Sequence, residues 1–187
     1  MRRSFKSEGI QPYKVDAKGR VSVPASFRRV LEEADPEWSP GANPTVYLVG
    51  GARSQPYIEG IPALAMDEIE RRIAAKPLGS RERTILEYVY SATTQRVQLD
   101  DTGRLVLPRW MREKAGIGGQ AMFVALGDRF QIWDPERWAG RREAIETLIE
   151  QLPAELPVAA LLDMPAGTLD DLVSAGPSGA GRGREER

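Results

Sequence analysis

The 187-residue chain contains no cysteine and no histidine. Without cysteine there are no disulfides, thiolate nucleophiles or sulfur-ligated metal sites, a usage that fits a reducing cytosol. Without histidine the commonest general base, the commonest transition-metal ligand and the usual neutral-pH switch are missing together. A Ser-His-Asp triad or a zinc hydrolase motif cannot be built, so the chain reads as a non-enzyme with no cofactor and no small-molecule substrate. Long apolar runs are lacking too. Nothing approaches the roughly 18 residues of a spanning helix, and the basic start Met1-Arg2-Arg3-Ser4-Phe5-Lys6 is not followed by an apolar stretch. Neither a signal peptide nor a membrane partner is expected, and a cytoplasmic location is. The paired acids Asp100-Asp101 and Asp170-Asp171 have no third ligand nearby, and neighbours on a strand face opposite ways, so neither pair reads as a metal site.

A strong net charge is also missing, the total being −1, but its distribution is uneven. Residues 1–29 carry Arg2, Arg3, Lys6, Lys14, Lys18, Arg20, Arg28 and Arg29 against Glu8 and Asp16 alone. Overall neutrality thus conceals a basic amino-terminal segment. With 41% hydrophobic residues the chain can still bury a core.

What the chain does contain is an internal repeat. Residues 13–28 and 97–112 align without a gap, with identities at Asp16/Asp100, Gly19/Gly103, Arg20/Arg104, Pro24/Pro108 and Arg28/Arg112. Apolar positions match at Val15/Leu99, Val21/Leu105, Val23/Leu107 and Phe27/Met111. Each copy ends a strand, turns at Asp-x-x-Gly, where aspartate bonds its own backbone and glycine accepts positive φ, and resumes alternation. Proline then opens a helix. In the first copy Phe27, Val30, Leu31 and Ala34 form one apolar stripe, with Arg28 and Arg29 off it. A β pair follows each helix: Val46–Val49 with Tyr57-Ile58, then Met122–Leu126 with Phe130–Trp133 across a Gly127-Asp128 turn. Pro56 cannot donate to a ladder, so the Tyr57 strand should be short or at an edge. Helices are expected near 63–75 and 80–92, the latter capped by Ser80, and a last one from Asp134-Pro135 carries Trp138, Ile145, Leu148, Ile149 and Leu152. Trp110, Trp133 and Trp138 read as core or interface aromatics rather than a base-stacking platform. From Pro153 the composition turns to Pro, Gly, Ala and Ser, which reads as a flexible tail.

The two repeats resemble the SpoVT/AbrB swapped-hairpin DNA-binding unit, through Asp16-Ala17-Lys18-Gly19-Arg20 with Val23-Pro24-Ala25-x-Phe27-Arg28. The second copy adds Asp100 through Pro108 and Gly127 through Trp133. Two such units in one chain of this length resemble the MraZ family of transcriptional repressors. The resemblance implies an α+β fold, in which two tandem AbrB-like β-hairpin units form a pseudo-dimeric β-barrel core with peripheral helices. The divisions expected are 5–62, connecting helices 63–93, a second unit 94–152 and a tail 153–187. The resemblance also implies a nucleoid-associated repressor of its own division and cell-wall operon. As a homo-oligomeric ring of eight or more subunits, it would bind G-rich direct repeats in double-stranded DNA.

Within that frame Arg20 is the expected guanine reader, beside Asp16 and Lys18, with Arg28, Arg29, Arg3, Lys6 and Lys14 contacting phosphates. The second hairpin, with Asp100, Gly103 and Arg104, has Thr102 in place of Lys18 and an extra acid at Asp101. It is expected to serve structure or assembly. Two other functions fit the same residues, a protein-interaction scaffold without DNA binding and an RNA binder. Residues 1–29 offer single-stranded RNA only Phe5, Tyr13 and Phe27 for stacking.

Overall fold

Asp16 turns the chain back on itself. In the computed structural model, which describes residues 4–7, 11–165 and 167–169, Asp16 N donates to Arg20 O at 3.0 Å and Gly19 N to Asp16 O at 2.9 Å. The second copy repeats the geometry, with Asp100 N to Arg104 O at 2.7 Å and Gly103 N to Asp100 O at 2.8 Å. Both turns need glycine, since Gly19 has φ +83° and Gly103 φ +73°, where a Cβ would crowd the backbone.

The strands leaving these turns pair with each other rather than only with their own copy. β2 (Arg20–Ser22) and β6 (Arg104–Val106) form a two-stranded antiparallel ribbon, in register Arg20↔Val106, Val21↔Leu105 and Ser22↔Arg104. The exchange continues beyond the ribbon: Val23 N donates to Gly103 O at 3.0 Å, and Leu107 N to Gly19 O at 2.8 Å. Each copy closes the other's turn.

Six further strands make one antiparallel sheet, curled into a half-barrel, in the order β1 (Tyr13–Lys14), β7 (Gln120–Leu126), β8 (Arg129–Trp133), β4 (Tyr57–Pro62), β3 (Thr45–Val49), β5 (Thr94–Gln98). The copies interleave across it, β1 from the first, β7 and β8 from the second, β4 and β3 from the first and β5 from the second, as expected of two tandem AbrB-like units in an α+β fold. One expectation is corrected. The Tyr57 strand is neither short nor at an edge: β4 runs six residues between β8 and β3. Pro56 precedes the first paired residue, Tyr57↔Trp133, so its missing N–H costs the ladder nothing.

α1 (Ala25–Glu33) buries Phe27, Val30 and Leu31, as the stripe predicts. Phe5, Phe27, Phe123 and Phe130 stack edge-on or tilted, with centroids 5.0–6.0 Å apart. Phe5 and Phe27 come from the first copy, Phe123 and Phe130 from the second, so the aromatic cluster ties the copies together. Each such pair adds about 0.5–1.5 kcal/mol beyond its buried area. α2 (Ala63–Ala74) covers a smaller cluster of Val49, Ile61, Ala65 and Met66. α3 (Arg81–Glu87) starts at Ser80, whose hydroxyl accepts from Arg83 N at 3.3 Å, and runs into a π-turn at Tyr88–Ala92. α4 (Arg109–Ala115) is the second-copy equivalent of α1. Of the tryptophans, Trp133 is buried against Tyr57 and Trp138, whereas Trp110 is 46% exposed.

The chain divides into two compact units, 1–138 and 139–187. The last helix, α5 (Pro135–Glu150), is opened by Asp134, whose carboxylate accepts from the Glu136 and Arg137 amides at 3.1 Å. Its Leu148 and Ile149, expected on an apolar face, are about half exposed. A 3-10 turn follows at Val158–Leu162. Most of the stretch beyond it, including residues 170–187 of the expected tail, lies outside the described residues.

Candidate nucleic-acid interface

The ribbon has two faces because a strand alternates. Val21 and Leu105, each 1% exposed, point into the core. Arg20, Ser22, Arg104 and Val106 point outward, two from each copy, as opposed pairs Arg20/Val106 and Ser22/Arg104. A pseudo-twofold axis between Val21 and Leu105 therefore relates Arg20 to Arg104.

Each arginine is held by the aspartate of its own turn. Asp16 accepts from the Lys18 and Arg20 amides at 2.9 Å and from Arg20 Nε at 2.6 Å. Asp100 accepts from the Thr102 and Arg104 amides at 2.9 Å, the Thr102 hydroxyl at 2.6 Å and Arg104 Nε at 3.0 Å. The backbone and side-chain donors of Arg20 hold the Asp16 carboxyl below the usual carboxylate range. For Asp100 the Thr102 hydroxyl is the leading cause of a larger lowering, followed by the Arg104 amide. Both carboxylates are thus ionised well below neutral pH. With Nε engaged, the two Nη groups of each guanidinium remain to donate as a fork, which is the geometry that recognises guanine O6 and N7. Arg20 and Arg104 side chains are comparably open, at 39% and 37% exposure.

The other residues singled out by sequence scatter. Lys18 is exposed at the tip of the first turn, where Thr102 occupies the second. Arg28 is half-buried and lies across the opposite copy's turn: a Cβ on Gly103 would come within 2.7 Å of Arg28 Cδ. Its Nε is buried without a partner. Arg112 mirrors it, 2.9 Å from a Cβ on Gly19, and donates Nε to Leu107 O at 3.2 Å. This reciprocal packing accounts for the Arg28/Arg112 identity, which the sequence displayed without revealing its partner. Arg29 is exposed on α1 and Lys14 on β1 at the sheet edge. Lys6 lies far from the ribbon, because Phe5 N bonds Gly127 O and Val15 N bonds Gly119 O, at opposite ends of β7. At about 3.4 Å per residue those ends are roughly 25 Å apart. Arg3 lies outside the described residues. The basic amino-terminal segment is therefore not one patch, and Ser22 and Val106 join the face unannounced by charge.

Duplicated strand–turn–strand–helix units that exchange strands across one ribbon define a protein of the swapped-hairpin AbrB class. Comparison with known proteins agrees. A family model described as "MraZ protein, putative antitoxin-like" matches residues 91–158. "Transcriptional regulator MraZ" of Ruegeria sp. (strain TM1040) is 43% identical over 168 residues, covering 89% of this chain and 99% of the relative. The protein of the same name from Ruegeria pomeroyi is 40% identical over 169 residues, 90% of this chain and all of the relative. That from Rhodospirillum rubrum is 41% identical over 132 residues, 68% and 78% of the two chains. The chain belongs to the MraZ family, whose named members are transcriptional regulators and not enzymes.

Proposed function

We propose that the protein is a DNA-binding transcriptional regulator whose β2–β6 ribbon enters the major groove. The outward face of that ribbon, with two aspartate-held arginines, is the observation that carries the reading. A two-stranded antiparallel ribbon fits the groove, about 12 Å wide, and guanine is the base that an arginine fork recognises. The sequence separated Arg20 and Arg104 by role. Their shared face and equal exposure favour both as base readers, with Lys18 adding a phosphate contact on one side only.

The finer proposal is a repressor of its own division and cell-wall operon, binding G-rich direct repeats as a homo-oligomeric ring of eight or more subunits in the nucleoid. One ribbon offers few contacts, and linked copies gain affinity through effective concentration rather than through new contacts. The test is binding to the DNA immediately upstream of the protein's gene against scrambled DNA of equal length, at two salt concentrations. Preference for the upstream DNA that survives the higher salt supports the reading. Equal binding to both, lost together with salt, leaves only phosphate attraction and defeats it.

A further inference from the structure

The ribbon is nearly symmetric, and its departure from symmetry lies on the face that looks outward. The pseudo-twofold axis maps Arg20 onto Arg104 and Val21 onto Leu105, but it maps Ser22 onto Val106. Val106 is 49% exposed, directly opposite Arg20, while Ser22 is exposed opposite Arg104. A lone exposed valine is ordinary on a protein surface. This one stands opposite Arg20 and two residues along its strand from Arg104, on a two-stranded element whose other face is buried.

We infer, resting on the DNA-reading role above, that Val106 and Ser22 give the ribbon a direction, Val106 packing on the C5-methyl group of a thymine. A thymine methyl is the apolar feature of the major-groove edge, and a valine side chain complements it as a hydroxyl does not. Opposed residues on a ribbon have Cβ atoms about 5 Å apart, one to two base steps at 3.4 Å each. The thymine therefore lies within two steps of the guanine that Arg20 reads. On the other side Arg104 reads its guanine beside Ser22, which accepts either a donor or an acceptor and demands no methyl. A twofold-symmetric reader matches a palindrome; a face with valine on one side and serine on the other distinguishes a site from its inversion.

The test starts from duplexes selected out of a random pool by the full-length protein. In the selected site each thymine is replaced singly by uracil, which deletes only the methyl group. At one position near a selected guanine, uracil should weaken binding about fourfold, the worth of one apolar carbon taken from water. V106S should bind thymine and uracil equally there, and S22V should acquire a methyl preference on the other side of the site. The inference falls if the wild type selects a sequence yet is indifferent to uracil at every position, or if V106S keeps the wild-type sensitivity. If the wild type selects no sequence at all, the DNA-reading role itself fails and takes this inference with it. Val106 and Ser22 are exposed, and unchanged thermal midpoints of V106S and S22V identify any effect as one of recognition.

Discussion

Arg20 and Arg104 are each anchored through Nε to a carboxylate that backbone amides already hold in place, so each side chain has little freedom left to lose on binding a ligand. R20A and R104A should each cost about 1–3 kcal/mol of discrimination between operator and scrambled duplex, measured by competition binding. Thermal midpoints should stay nearly unchanged, because exposed ion pairs add little stability. K18A should instead weaken both duplexes alike and flatten the salt dependence. A second residue-scale prediction concerns Glu59 on β4, 3.3 Å from Arg129. Burial pushes its carboxyl above the ordinary value despite Arg129. A raised folded-state pKa means that the stability gained from protonation is full below the unfolded value, near 4.5, and is lost as pH rises through the folded one. E59Q, neutral throughout, should therefore gain on the wild type in denaturation midpoint as pH rises above about 4.5 and through the folded-state value. A difference that is constant with pH would refute the shift.

At the scale of elements, the turns depend on two glycines and the two arginines that cover them. G19A would place a Cβ at positive φ and 2.7 Å from Leu107 O, so about 1–3 kcal/mol of destabilisation is expected from chemical denaturation. Operator binding should fall further than stability alone requires, because that carbonyl belongs to the strand leaving the ribbon. The elements themselves were legible in sequence wherever their signal is local. Asp-x-x-Gly made the turns, Pro24 and Pro108 opened the helices, the Phe27–Val30–Leu31 stripe was buried, and Ser80 capped its helix. Pairing was not legible. Nothing within residues 20–22 tells that the partner is 104–106, because alternation fixes which face is buried but not which strand lies alongside. For the same reason Lys6 and Lys18 read as one patch in sequence, yet their neighbours Phe5 and Val15 bond opposite ends of β7. Pro56 misled because its cost depends on whether it falls just before or within the ladder.

In the whole molecule the two copies interleave their strands in one sheet, share the phenylalanine cluster and close each other's turns. A fragment holding residues 5–62 alone should therefore be unfolded by circular dichroism, since it leaves Phe5, Phe27, Val21 and Leu48 without their cover. By composition the tail carries no core, so truncation after Leu152 should leave thermal midpoint and operator affinity within error of the full chain. The exchanged turns also bear on the order of events during synthesis. Gly19 waits for Leu107, a segment of ~90 residues that takes about 5–20 s to translate at 5–20 residues per second. Through that interval the nascent amino-terminal half has unpaired strand edges and no β2–β6 ribbon. A chain terminated early lacks the strands that complete the ribbon and the sheet, so every molecule with both assembled certifies that its own message was read at least as far as β8.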